Sequence, residues 1–207
     1  MVLKLTPKRL LGLKIVIHTL NVIAFVYLVV AVLSGAMGAD PLQEMSHYTG
    51  KAGLHLLILT LLVSPIAKRF KLGQLMRVRR LLGLYCFSWA LIHVLIYFWL
   101  DLGLSLTLFF EETTRRPYLI LGLIAFLLLT ALAITSFKTL QAKMGKRWQQ
   151  LHNTVYLIAL LAPIHYLWSV KSGLTSPFLY LLGFILLLAM RWSKLKQTVT
   201  KLSFNQQ

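Results

Sequence analysis

Apolar residues gather into long runs that charged or turn-forming residues interrupt. Six segments stand out, at about 13–33, 52–67, 81–100, 118–137, 151–169 and 177–190. A bilayer is crossed by roughly 20 residues of helix, and several of these runs are that long. Helix is the expected form, because a backbone exposed to lipid must satisfy its own hydrogen bonds. None of the segments shows the two-residue alternation of a membrane strand. The breaks agree. Asp40-Pro41 signals a turn between spans one and two. Arg116-Pro117 and Ser176-Pro177 put proline in the first turn of spans four and six, where its missing N–H costs nothing. The pattern predicts an all-α integral membrane protein, a single six-transmembrane-helix bundle over 1–207. No soluble domain, solenoid repeat or low-complexity linker is evident. A basic start, an apolar stretch and Ser34-Gly35-Ala36 could also read as a cleaved signal peptide. The apolar core is too long for that and contains His18 and Asn21, so span one is expected to be retained.

Composition narrows the classes. The chain is 58% hydrophobic and 13% charged, with mean hydropathy +0.75. A soluble domain carries about 25% charged residues, so a soluble enzyme is excluded. The net charge of +17 would suit nucleic acid, but its distribution does not. The N-terminal end and the stretches 68–80, 138–150 and 191–207 hold 18 of the 22 Lys and Arg and no acid. Lys51, Arg115, Arg116 and Lys171 fall in the alternate loops with all five acids, Asp40, Glu44, Asp101, Glu111 and Glu112. That split follows the positive-inside rule, with both termini cytoplasmic (N-in/C-in), and leaves no reason to invoke nucleic acid. The one cysteine, Cys86, lies in an apolar run, so there is no disulfide framework and no C-x-x-C-H haem attachment.

Ionisable groups inside the bilayer are costly and face a cavity, a cofactor or a partner. His93 lies about 18 Å from the inner end of span three, and His165 about 21 Å from the inner end of span five. Two neutral imidazoles at matched depth are what a bis-histidine haem needs, although interhelix hydrogen bonding accounts for each one singly. His152 opens span five at the inner face, 13 residues before His165 and nearly opposite it on an ideal helix, with Pro163 between them as a kink site. It is a candidate ligand for a second haem. The residue 14 before His93 is Arg79, a poor iron ligand but a good partner for a propionate or phosphate. His18 and Asn21 share a face of span one, which could approach His152. His55 is expected near the outer end of span two in an interhelix or interfacial hydrogen bond, and His47 in a solvated outer loop. Trp99, Tyr118, Trp168 and Trp192 read as interface anchors.

The basic stretch around Arg77, Arg79 and Arg80, with Arg147 in the next inner loop, is explained by topology alone. Its further candidacy is as a contact for a flavin phosphate, a haem propionate or an anionic partner. The chain has no G-x-G-x-x-G with a following acid, no H-E-x-x-H and no nucleophile elbow, so substrate chemistry belongs to another protein. The span interiors hold no acid, which argues against a proton-driven transporter.

Five runs carry a resemblance: Gly38-Ala39-Asp40-Pro41, Arg79-Arg80-Leu81-Leu82-Gly83-Leu84, Thr114-Arg115-Arg116-Pro117-Tyr118, Gly145-Lys146-Arg147-Trp148-Gln149-Gln150-Leu151-His152-Asn153, and Ala162-Pro163-Ile164-His165-Tyr166-Leu167-Trp168-Ser169-Val170-Lys171. They resemble the MsrQ (YedZ) family, haem-binding membrane subunits of a bacterial methionine sulfoxide repair system, over nearly the whole chain. The resemblance implies a ferric-reductase-like transmembrane domain in the bacterial inner membrane. It implies b-type haem, one or two per chain, and a bound FMN, with electrons arriving from quinol or a cytosolic flavin reductase. They would leave to a periplasmic molybdopterin enzyme, MsrP-like, so that the chain is an electron-transfer subunit and no enzyme by itself. The haem-associated histidines of the family carry over onto His93, His152 and His165. Larger oxidase relatives have two histidines on each of two helices, whereas span three here offers only His93.

A haem carrier or sensor without turnover, and a small transporter, are the competing classes. A redox spectrum excludes the transporter, and reoxidation of the haem by an outside partner excludes the carrier. The charge split also yields a topology test: a reporter fused at the C-terminus reads cytoplasmic and one inserted beside Glu111 reads periplasmic. A periplasmic C-terminus overturns the six-span topology.

Overall fold

The computed structural model describes residues 6–191. Among them every regular element is a helix: α1 (Pro7–Leu33), α2 (Pro41–Arg69), α3 (Met76–Leu95), α4 (Leu106–Arg115), α5 (Pro117–Ile134), α6 (Lys138–Met144), α7 (Lys146–His152), α8 (Val155–Ser169) and α9 (Thr175–Ala189). A 3-10 turn, Gly73–Leu75, leads into α3, and a π-helical stretch, Ile96–Asp101, prolongs it. The chain divides into two compact units between Glu112 and Thr113, within α4. Four helical stretches are long and apolar enough to cross a membrane: Pro7–Leu33, Pro41–Arg69, Gly73–Asp101 and Pro117–Ile134. Helix α9 is apolar but shorter, and α8 has 15 residues.

Several boundaries differ from the apolar runs, each for a local reason. Helix α2 starts at Pro41 and not near 52. Asp40 caps it by accepting from the Gln43 N–H at 3.0 Å, proline fills the first position, and Glu44 complements the positive end of the dipole. Polarity at 41–51 therefore does not end the helix. His47 sits on its second turn, half-buried, and not in a loop; His55 is at its midpoint, exposed, and not near its end. At the other end of α2 the basic stretch is mostly helical: Lys68 and Arg69 close α2, while Arg77, Arg79 and Arg80 open α3. The stretch 138–150 is likewise two short helices, α6 and α7, hinged at Gly145 with φ 53°.

Helix α7 stops at His152, and Asn153-Thr154 interrupts what would be a continuous span. Their side chains engage the preceding turn: Thr154 Oγ1 donates to the Leu151 carbonyl at 2.7 Å, and Asn153 Oδ1 accepts from Gln149 Nε2 at 2.8 Å. The interruption thus lies here, and Pro163 sits inside α8.

The ends of α1 and α2 are Schellman motifs. Ala36 N–H bonds to Ala31 O at 2.9 Å and Gly35 N–H to Val32 O at 3.2 Å, with Gly35 at φ 70°. The small residues that could read as a cleavage site form this helix stop. At α2 the same pattern, Leu72 N–H to Ala67 O and Lys71 N–H to Lys68 O, puts Lys71 at φ 56°.

In the first unit α2 and α3, joined by a short turn, pack as an antiparallel pair. Gly53 permits the approach: a Cβ there would lie 3.9 Å from the Cys86 carbonyl oxygen and 4.0 Å from Ala90 N. The Cys86 thiol donates to Gly53 O at 3.4 Å. Helix α1 is tied to α3 by Trp89 Nε1–H to Asn21 Oδ1 at 2.9 Å and by the Tyr85 hydroxyl and His18 Nδ1 at 2.5 Å, and to α2 by Tyr48 OH to Ala24 O at 3.0 Å. Its remaining faces expose apolar residues such as Leu20, Ile23 and Leu33. In the second unit α8 packs against α5 and α9. Arg191, 6% exposed, donates to the Tyr156 hydroxyl at 3.2 Å. Trp192 and the basic residues after it lie outside the described residues.

Candidate functional site

The first unit places His93 near the end of α3 that faces the start of α2. Its Nδ1 donates to the Ser46 carbonyl at 3.0 Å and lies 3.3 Å from Thr49 Oγ1, whose own proton goes to Met45 O at 2.8 Å. A carbonyl only accepts, so the ring proton is on Nδ1, and the lone pair of the neutral imidazole is on Nε2. Beside the ring is Gly50, where a Cβ would sit 3.4 Å from Cε1 and 3.5 Å from Nδ1.

The second unit repeats this. His165 Nδ1 donates to the Tyr118 carbonyl at 2.8 Å, and Gly122 lies beside its ring. The carbonyl precedes its histidine by 47 residues in both cases. The glycine follows its carbonyl by four residues in both, one helical turn along α2 and α5. Corresponding positions are therefore 72 apart: Ser46 and Tyr118, Gly50 and Gly122, His93 and His165. The chain carries the signal, A-x-I-H-x-L at Ala90–Leu95 and again at Ala162–Leu167. Reading each span by itself misses it, because the period is a helix pair and not a helix.

Both histidines thus have the arrangement of a metal-ligating imidazole, with one nitrogen held by a backbone carbonyl, which fixes tautomer and ring plane, and the other bearing the lone pair.

His152 is built differently. Its Nε2 is 3.1 Å from Thr135 Oγ1, and that hydroxyl spends its proton on Ala131 O at 2.6 Å. The histidine is therefore the donor at Nε2, and its lone pair is on Nδ1. Trp148 stacks on the ring at 3.9 Å between centroids and donates Nε1–H to Thr135 O at 2.8 Å, satisfying a carbonyl at the end of α5. His152 and His165 lie against opposite ends of α5, at Thr135 and Tyr118, about 25 Å apart along that helix. Because α7 and α8 are separate, the angular offset expected from a continuous helix does not apply to this pair. Of the arginines, Arg77 and Arg80 are exposed on the first turns of α3, Arg79 is half-buried there, and Arg147 is exposed on α7.

Residues 49–163 match the family model described as ferric reductase like transmembrane component, which takes in His93 and His152. A protein of Cronobacter sakazakii (strain ATCC BAA-894), named protein-methionine-sulfoxide reductase heme-binding subunit MsrQ, is 50% identical over 196 residues, covering 94% of this chain and 98% of that one. The chain belongs to the MsrQ family. Membership accounts for the helical architecture and for the apolar stretches of α1, α2, α3 and α5. In this MsrQ family member the seat occurs twice, at His93 and at His165. It also makes a prediction that needs no bound group. Nitrogen NMR of histidine-labelled, ligand-free protein reports Nδ1–H for His93 and His165, and Nε2–H for His152. An Nε2–H signature at His93 or His165 contradicts the assignment.

Proposed function

We propose that this chain is the haem-bearing electron-transfer subunit of a methionine sulfoxide repair system in the bacterial inner membrane. It carries electrons from quinol or a cytosolic flavin reductase to a periplasmic, molybdopterin-containing, MsrP-like partner that acts on the oxidised methionine. The observation that carries the reading is the paired seat. His93 and His165 each present Nε2 as a lone-pair nitrogen, with Nδ1–H fixed on a carbonyl, and each seat by itself suits an axial ligand of a b-type haem. The name of the Cronobacter sakazakii relative supports haem as the group. When bound, haem supplies a one-electron iron couple. The chain's own residues hold the imidazoles, and its apolar helices keep water from them.

The proposed topology is six spans with both termini cytoplasmic, α8 and α9 being the fifth and sixth. These are shorter than the other four, about 22 Å of helix each. The end of the molecule carrying Lys68, Arg69 and Arg77 is then cytoplasmic, and the end carrying Asp40, Glu44 and Asp101 is periplasmic. His93 and His165 belong to the periplasmic half, on the side where the partner is met.

His152 is the candidate at the cytoplasmic end. Ligation through its Nε2 requires release from Thr135 and a change of tautomer, which sets it apart from the other two. Arg79 lies about 21 Å along α3 from His93, so a propionate or phosphate it holds belongs to a cytoplasmic group. Arg77, Arg79 and Arg80 with the N-terminal dipole of α3, and Arg147 on α7, suit an anionic phosphate of FMN in charge.

Reduced-minus-oxidised spectra of three alanine variants at equal protein level test the ligand assignment. His93→Ala and His165→Ala each lose the low-spin signal or turn it high-spin, whereas His152→Ala keeps it and alters a second haem or slows electron entry. A normal low-spin haem in His165→Ala together with its loss in His152→Ala sinks the assignment. For the arginines, replacing Arg77, Arg79 and Arg80 with glutamine lowers flavin content or slows reduction while membrane insertion is unchanged. Wild-type flavin content and kinetics would leave these residues as topology determinants only.

A further inference from the structure

A helical carbonyl already accepts the N–H of the residue four positions on, and has one lone pair left. A side chain reaching that lone pair from a neighbouring helix passes the side-chain position of that same residue. In α5 the accepting carbonyl is Tyr118 and the residue four positions on is Gly122; in α2 they are Ser46 and Gly50. Glycine therefore stands where the approach needs clearance, twice. The two copies differ in how tightly they use it. A Cβ at Gly122 would lie 2.8 Å from both Cε1 and Nδ1 of His165, closer than a Cβ comes to a non-bonded atom, and 3.3 Å from its Cγ. At Gly50 the nearest distances to His93, 3.4 and 3.5 Å, are ordinary contact.

We propose that Gly122 is a positioning residue, whose missing side chain sets the plane of the His165 imidazole against the Tyr118 carbonyl and so sets the axial ligand field on the haem. Gly50 occupies the equivalent place with slack and does not set the plane of His93. The proposal rests on His165 being an axial ligand, and it assigns to Gly122 a role that acts through that imidazole. A methyl group at position 122 cannot be absorbed by a small rotation without lengthening the 2.8 Å bond to Tyr118 O. It does not harm α5 itself, since alanine is the better helix former.

The test compares Gly122→Ala, Gly50→Ala and His165→Ala in the full-length haem-loaded protein. Electron paramagnetic resonance reads the axial field, and nitrogen NMR of the haem-free protein reads the His165 ring. Gly122→Ala is expected to shift the low-spin g-values or convert haem to high-spin, and to lose the Nδ1–H hydrogen-bond signature of His165. Gly50→Ala is expected to leave the resonance spectrum unchanged. Wild-type spectra in Gly122→Ala, or equal shifts in both glycine variants, overturn the proposal. The ligand reading fails separately: a normal low-spin haem in His165→Ala rejects His165 as a ligand, and with it the ligand-field part of the proposal, whatever Gly122→Ala does. If Gly122→Ala does not accumulate, the double variant Gly122→Ala/His165→Ala decides, because the clash is with the imidazole. Accumulation restored to the level of His165→Ala alone supports the proposal, and no restoration overturns it.

Discussion

A neutral imidazole among apolar helices must give its N–H to an acceptor, because no water is there to take it. In both units the acceptor is a backbone carbonyl of the adjacent helix. That single requirement orders much of what surrounds it. It makes the helix pair, and not the single helix, the working unit. It puts a small residue one turn past the acceptor, and it leaves the other ring nitrogen as the basic one. Where the acceptor is instead a threonine hydroxyl with its own proton committed, as for His152, the protonation of the ring is reversed. Three histidines of similar appearance in the sequence thus differ in chemistry because of what their neighbours can accept.

The all-helical architecture is legible in the apolar runs, since membrane helices announce themselves by composition, and four of the six runs correspond to helical stretches long and apolar enough to cross a membrane. What the runs misplace are the ends. Asp40, Pro41 and Gln43 are a helix start whose following turns are polar, so hydropathy alone sees a loop where capping chemistry sees a helix. Arg77, Arg79 and Arg80 are on a helix for the same reason: charge is compatible with a helix that has reached the membrane surface. Helix α4 is amphipathic and too short to register as an apolar run, and nothing within the run 81–100 marks the π-helical turn after Leu95. His93 and His165 stand out as ionisable groups in apolar surroundings, but their carbonyl partners cannot be read from side-chain identity, because any residue at Ser46 or Tyr118 presents the same oxygen. Only the glycine four positions on leaves a mark. The partners of His18 and Asn21 are on α3, a pairing that helical spacing within α1 does not reveal.

The histidine sites are built from different materials. In each unit taken by itself, the seats of His93 and His165 use main-chain acceptors, which no side-chain substitution can remove. Near Thr135 and Lys146 the arrangement depends on side chains, with Trp148 stacked on His152 and Thr135 serving both at once. Short helices hinged at Gly145 carry it. The first is fixed geometry, and the second can be rearranged by exchanging a few hydrogen bonds.

The gap at Asn153-Thr154 has a mechanical meaning. A continuous rod would transmit any twist at His152 along its axis to His165, since each residue of a helix inherits the rotation of the last. At Asn153-Thr154 the backbone keeps right-handed helical angles but tightens, with Thr154 N–H on Leu151 O and Tyr156 N–H on Asn153 O, so the regular four-residue ladder is broken there. A displacement of Trp148, or of His152 from Thr135, can be taken up at this tighter turn before it reaches the imidazole on α8. The two histidines of this unit are thus coupled less stiffly than two positions on one unbroken helix.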